Sequence, residues 1–137
     1  MQVVIGGAYN GKRKFVKEVL LNHGKPHFFE GEIPKNILFS REDIIVIGNF
    51  EKMILQKVHL DEEIIAEEIF NKIHQLNQQA QVICVCTDIG RGVVPLLKEE
   101  RKLRDACGRL YQKLFTQSES VIRVWYGIPQ VLKGDGL

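Results

Sequence analysis

Long apolar runs are missing from this sequence. The longest, around Ile44 to Ile47 and Val82 to Cys86, are far shorter than the ~20 residues that cross a bilayer. The first residues show no signal-peptide pattern, so a cytoplasmic protein with no membrane partner is expected. An excess of one charge is also missing. Lys and Arg number 19 against 17 Asp and Glu, a formal net charge of +2, and the two signs are interleaved, so no nucleic-acid partner is expected. Cysteine is sparse: Cys84, Cys86 and Cys107 form an odd set without metal-ligand spacing. Neither a disulfide nor a metal site is expected from them. Cys84 and Cys86 alternate within an apolar stretch, as reduced core residues on one face of a strand do. With no repeat, low-complexity tract or linker composition, the 137 residues read as one domain, residues 1–137, large enough for one core.

What is present is an alternation of strand and helix signals. Gln2 to Ile5 reads as a strand, and Lys12 to Leu21 carries helical spacing in Phe15, Val16, Val19 and Leu20. Residues 25–42, interrupted by Pro26, Gly31 and Pro34, read as irregular chain with at most one short strand. Ile44 to Ile47 has the continuous β-rich character of a strand buried on both faces. Asp61 is placed to cap a helix running to about Gln78, in which Ile64, Ile65, Ile69, Ile73 and Leu76 repeat. Val82 to Cys86 is the next strand, a helix follows from about Leu97 to Phe115, and Val121 to Trp125 closes the series before Gly127 and Pro129. Trp125 and Tyr126 read as core or oligomer-interface aromatics. The implied fold class is α/β: a mainly parallel sheet with helices on both faces.

Between the first strand and first helix lies Gly6-Gly7-Ala8-Tyr9-Asn10-Gly11-Lys12-Arg13. This satisfies the frame G-x-x-x-x-G-K of a phosphate-cradling loop. Backbone N–H groups converge there at a helix start, where the dipole favours anions, and the lysine can reach the β and γ phosphates. Residues Gly6, Gly7, Ala8, Tyr9, Asn10, Gly11, Lys12 and Arg13 are therefore the candidate ATP- or GTP-binding set. The Ser or Thr that should follow the lysine and hold Mg²⁺ is Arg13. Arginine cannot coordinate Mg²⁺, so no protein metal ligand is assigned, and Mg²⁺ would have to be held through the nucleotide, water and other side chains. Two readings of Arg13 stand: a solvated residue in a loop that has left metal-dependent catalysis, or a guanidinium where the metal would have been. The strand Ile44 to Ile47 ends in Gly48-Asn49 with Glu51 a little beyond, whereas Asp88 ends the strand Val82 to Cys86. Asp88 is the candidate carboxylate at the edge where ligands of open α/β sheets collect. Lys12 and Asp88 are the candidate catalytic residues.

Thr87-Asp88-Ile89-Gly90-Arg91-Gly92-Val93-Val94-Pro95, followed by Arg104-Asp105-Ala106-Cys107-Gly108-Arg109, resembles the adenosylcobinamide kinase/adenosylcobinamide-phosphate guanylyltransferase family of cobalamin biosynthesis. That family reads Asn-Glu-Val-Gly-x-Gly-Ile-Val-Pro and then Arg-Asp-x-x-Gly, and the loop Gly6-Gly7-Ala8 with Gly11-Lys12 is similar to its own. The resemblance implies a three-layer P-loop NTPase (RecA-like) fold, a nucleoside triphosphate at the loop, a corrinoid (cobinamide) whose aminopropanol hydroxyl is phosphorylated, and a homo-oligomer. It also implies that Lys12 is the phosphate lysine, that Asp88 takes the place of the family's glutamate, and that Gly90, Gly92 and Pro95 shape the adjoining loop. Arg13 replaces the loop serine, and Gly48 falls about where the family has a strand-end acid. None of His23, His27, His59 and His74 lies in a basic segment like that of the guanylylated histidine. The resemblance thus points to the kinase step rather than guanylyl transfer. The alternative is a catalytically silent nucleotide-binding relative that acts as a binding or regulatory partner.

Overall fold

The computed structural model describes residues 1–8, 10–89 and 97–137. Six strands form one sheet: β1 (Gln2–Gly6), β2 (Lys25–Glu30), β3 (Asp43–Gly48), β4 (Gln81–Thr87), β5 (Ser120–Trp125) and β6 (Ile128–Lys133). Their spatial order is β2-β3-β4-β1-β5-β6, parallel except for β6, which runs antiparallel to β5. The helices are α1 (Lys12–Val19), α2 (Phe50–Leu55), α3 (Glu62–Gln79) and α4 (Lys98–Gln117). This is the mainly parallel α/β sheet, covered on both faces, of a P-loop NTPase-like fold.

The central strands are buried on both faces because both carry apolar side chains. Val4, Val46, Val85 and Val124 turn toward α1 and pack with Val16 and Leu20. Val3, Ile45, Ile47, Cys84 and Cys86 turn the other way and pack against Ile65, Ile69 and Ile73 of α3 and Leu110 and Leu114 of α4. The three cysteines are free and buried, and burial pushes the Cys84 and Cys107 thiols up to about 12. They are inert core residues, as their spacing indicated.

Asp61 caps α3 by accepting the Glu63 N–H at 2.9 Å. Ile64, counted in the helical repeat, instead points outward and is 46% exposed, because Ala66 completes the buried stripe. The short strand allowed within residues 25–42 is β2. Two elements had no sequence signal. Helix α2 begins from Asn49 in a left-handed conformation, φ 56°. Strand β6 follows a turn at Tyr126 and Gly127, φ 49° and 80°, the two left-handed positions of a tight hairpin. Pro129 is accommodated because β6 is an edge strand. Among the described residues no helix is long and apolar enough to cross a membrane.

Candidate functional site

At the carboxyl end of β1 the chain turns sharply into α1. Gly6 passes so close to the Val124 carbonyl of β5 that a Cβ could not fit. Gly11 then takes the helix cap position at φ 84° without a side-chain cap, so among the described residues no capping side chain is seen on the N–H groups of the first turn. Lys12 folds back over the loop and donates from Nζ to the Gly7 carbonyl at 2.7 Å. Its side chain is only 4% exposed. Burial lowers its pKa below the ordinary lysine value, Arg13 adds to the effect, and Glu51 opposes it. From the far side, the Gly127 N–H of the β5–β6 turn donates to the Asn10 carbonyl at 2.8 Å. Ala8 is exposed, and Tyr9 lies outside the described residues.

Arg13 is not merely solvated. Its guanidinium makes a two-point pair with Glu30, Nε to Oε1 at 2.5 Å and Nη2 to Oε2 at 2.7 Å. That hydrogen-bonded carboxylate raises the arginine pKa still further. The pair forms because β2 and β3 align Glu30 with Gly48, the last residue of β3. A Cβ at Gly48 would lie 2.8 Å from Arg13 Nη2 and 3.0 Å from Glu30 Oε2. Phosphate-loop proteins commonly hold Mg²⁺ with a hydroxyl after the loop lysine and with a strand-end aspartate. Here the first position is Arg13, and the guanidinium fills space beside Gly48. These residues do not fit the metal. Among the described residues, no cluster of three His, Cys, Asp or Glu could hold a metal ion.

Glu51, in the first turn of α2, is the carboxylate that the sequence left in the background. It acts electrostatically on Lys12 and Arg13, and its Oε1 lies 3.3 Å from the Tyr111 hydroxyl of α4. The same hydroxyl donates to the Thr87 carbonyl at 2.9 Å, just before Asp88. Burial pushes the Tyr111 pKa well up, so the phenol remains a neutral donor. A glutamate two residues beyond a strand-end Gly-Asn is a faint signal, and the link to Tyr111 is invisible without the fold.

Asp88 stands one strand away from Glu51's neighbour β3, beside the loop. Its N–H donates to the Gly6 carbonyl at 2.8 Å. With Gly6, Gly7 and Asn10 it lines a pocket of about 300 Å³ whose other wall includes Arg123 and Trp125 of β5. The structure therefore brings the loop and Asp88 together. Trp125 and Tyr126 are exposed, 59% and 75%, so the core alternative for them is corrected. Gly90, Gly92 and Pro95 lie outside the described residues.

Other groups stand apart from this edge. A cavity of about 420 Å³ opens at the amino ends of the strands, among Gln2, His23, Arg41 and Gln81. Arg41 there is committed to the carbonyls of Asn77 and Ala80, and we assign that cavity no chemistry. His27 contacts Asp43 at 3.0 Å and His74 stacks on Phe70. Arg109 of the Arg-Asp-x-x-Gly-Arg stretch reaches α3, pairing with Glu63 there and with Asp105 of its own helix, and Lys113 joins Glu63 at 2.8 Å. Those partners lower the Glu63 pKa. This part of the motif clamps two helices.

Comparison with known proteins yields one family. Residues 33–132 match the family described as cobinamide kinase / cobinamide phosphate guanyltransferase, a span that starts beyond the glycine-rich loop of residues 6–13 and covers well over half of the chain. No curated protein matches the chain.

Proposed function

The chain belongs to the cobinamide kinase / cobinamide phosphate guanyltransferase family of cobalamin biosynthesis, and from that premise we propose that it is a kinase-type phosphotransferase using ATP or GTP. The observation that carries this reading is the buried Lys12 ammonium closed over the Gly7 carbonyl. Among the described residues the hydrogen-bond acceptor of this buried cation is a neutral carbonyl, with Glu51 acting on it only at a distance, so an anion in contact with it would be stabilised. The triphosphate tail supplies that anion, with the N–H groups at the start of α1, which Gly11 does not cap with a side chain, as further donors. The acceptor, a cobinamide, places its aminopropanol hydroxyl in the pocket between Asp88 and Trp125. The hydroxyl oxygen attacks the γ-phosphorus, the bond from that phosphorus to the bridging β-γ oxygen breaks, and the nucleoside diphosphate leaves. The hydroxyl proton passes to the Asp88 carboxylate. Lys12 neutralises charge on the phosphoryl oxygens, the kind of electrostatic positioning on which phosphoryl transfer depends.

Guanylyl transfer is not part of this proposal. His27 and His74 are engaged with Asp43 and Phe70, and His23 lines the cavity at the opposite edge. A second reading, a relative that binds nucleotide without turnover, is favoured by one feature: the Arg13–Glu30 pair beside Gly48 where a metal would stand. Incubating the protein with cobinamide and γ-labelled ATP or GTP separates the two. Label transferred to cobinamide supports the kinase, and nucleotide binding without transfer supports the silent relative. Absence of both binding and transfer removes each of them.

A homo-oligomer goes with the same reading. Trp125, Ile128, Val131 and Leu132 are exposed apolar residues on and beside the edge strand β6, and two copies pairing there would bury them. Light scattering on the eluting protein should give a mass above 15.7 kDa, and Val131→Arg should lower it. A monomeric mass for the unaltered chain would end this part.

A further inference from the structure

We propose that the Arg13 guanidinium takes the place of the divalent cation at the terminal phosphates, so that this loop binds a nucleoside triphosphate without a protein-bound metal. The inference rests on the triphosphate reading above and goes beyond it by naming what neutralises the ligand. Three observations carry it. Arg13 follows the phosphate lysine directly, so its side chain leaves the backbone where a metal-binding hydroxyl would. That side chain runs to the end of β3, where Gly48 leaves room for it and any Cβ would crowd it at 2.8 Å. Its orientation is set by Glu30, which accepts from Nε and Nη2.

A guanidinium has five N–H donors in a rigid fork, and Glu30 engages two of its nitrogens. The remaining donors are available to oxygen acceptors, and a planar fork suits phosphate oxygens. The guanidinium stays protonated, since Glu30 moves it even further from deprotonation; because that carboxylate also offsets its charge, what it offers the phosphates is chiefly oriented N–H donors. Arg13 and Gly48 thus share one space, the guanidinium lying where a side chain at residue 48 would be. A side chain at residue 48 would make the ends of the Arg13 and Glu30 side chains shift, and a serine at residue 13 would leave the space beside Gly48 empty. Glu30 is the positioning residue of this arrangement.

Titration calorimetry of the full chain with ATP and with GTP, each in EDTA and each in excess Mg²⁺, tests it. Binding is expected in EDTA, with a dissociation constant within about threefold of that in Mg²⁺. Tightening by Mg²⁺ of about tenfold or more would overturn the guanidinium inference while leaving the triphosphate reading intact. Failure of both nucleotides to bind under either condition would overturn that reading, and the inference with it. Arg13→Ser should weaken binding in EDTA about tenfold or more, and adding Gly48→Asp to it should bring Mg²⁺ dependence. Unchanged metal-free affinity in a folded Arg13→Ser protein would also refute the inference. Arg13→Lys keeps the charge but not the fork and should fall between the two; if no variant folds, the titration of the unaltered chain decides.

Discussion

The N–H of Gly127 donates to the carbonyl of Asn10 at 2.8 Å. The turn of the last hairpin thereby braces the glycine-rich loop after β1 from a segment more than a hundred residues away in sequence. Gly127 holds φ 80°, a left-handed value that costs a residue with a Cβ about 1–2 kcal/mol. Among the described residues nothing lies within 4 Å of the Cβ that would be added, so Gly127→Ala is expected to act through backbone strain. The expected result is a stability loss of about 1 kcal/mol in urea unfolding together with weaker triphosphate binding. Gly127→Asn, which tolerates this conformation, should lose less of both. Full affinity in a destabilised Ala variant would show that the brace does not matter to the ligand.

Lys12 leads to a pH prediction. Burial lowers its pKa in the ligand-free fold, so between that lowered value and the ordinary one the unfolded chain holds more protons than the native state. Its contribution to stability is therefore unfavourable at low pH and improves as pH rises through that window. A bound triphosphate reverses the shift, because a nearby anion favours the charged form. Binding in the same alkaline window should take up a proton, seen as a dependence of the calorimetric heat on buffer ionisation enthalpy. Lys12→Ala should abolish the uptake and weaken binding by about 1.5–3 kcal/mol. An affinity unmoved by Lys12→Ala would remove the loop from the functional account.

Tyr111 connects α4 to both carboxylate-bearing turns, through Thr87 at 2.9 Å and Glu51 at 3.3 Å. Tyr111→Phe keeps the ring, including its contact with Phe50, and removes only the hydroxyl. Leaving the Thr87 carbonyl without this donor should cost about 0.5–1.5 kcal/mol in urea unfolding. Because the phenol stays neutral, that cost should be flat across neutral pH. A steep pH dependence would mean that the hydroxyl's partner, not the hydroxyl, carries the effect.

Much of this arrangement was legible because it rests on short-range patterns. The apolar runs at Val3, Ile44, Val82 and Val121 announce strands since both sides of each are buried, and Asp61 announces a helix start since its carboxylate has a fixed local role. Strand β2 was barely visible: in Lys25–Glu30 only His27 and Phe29 are even half-buried. Strand β6 was invisible, since all six of its residues are exposed and pairing with β5, not burial, holds it. The loop and Asp88 were readable as sequence, but the partner of Arg13 was not. Glu30 reaches Arg13 only because β2 pairs with β3 and places it opposite Gly48, and no local spacing encodes that register.

Gly108 supplies a final test of what the Arg-Asp-x-x-Gly stretch is for. It sits within α4 (Lys98–Gln117), and among the described residues a Cβ added there would meet nothing within 4 Å. Glycine inside a helix is destabilising by roughly 0.5–1 kcal/mol relative to alanine, because it loses more backbone freedom on folding. Packing among the described residues gives no reason to keep it. Gly108→Ala should therefore stabilise the protein by about that amount in urea unfolding. If phosphoryl transfer and oligomer mass are unchanged in the stabilised variant, the glycine has no part in either. If stability rises while transfer or assembly falls, the open surface at Gly108 is where a substrate or a second copy comes close to the helix backbone. A loss of stability would instead contradict the open surroundings of residue 108, and with them the packing described for this face of α4.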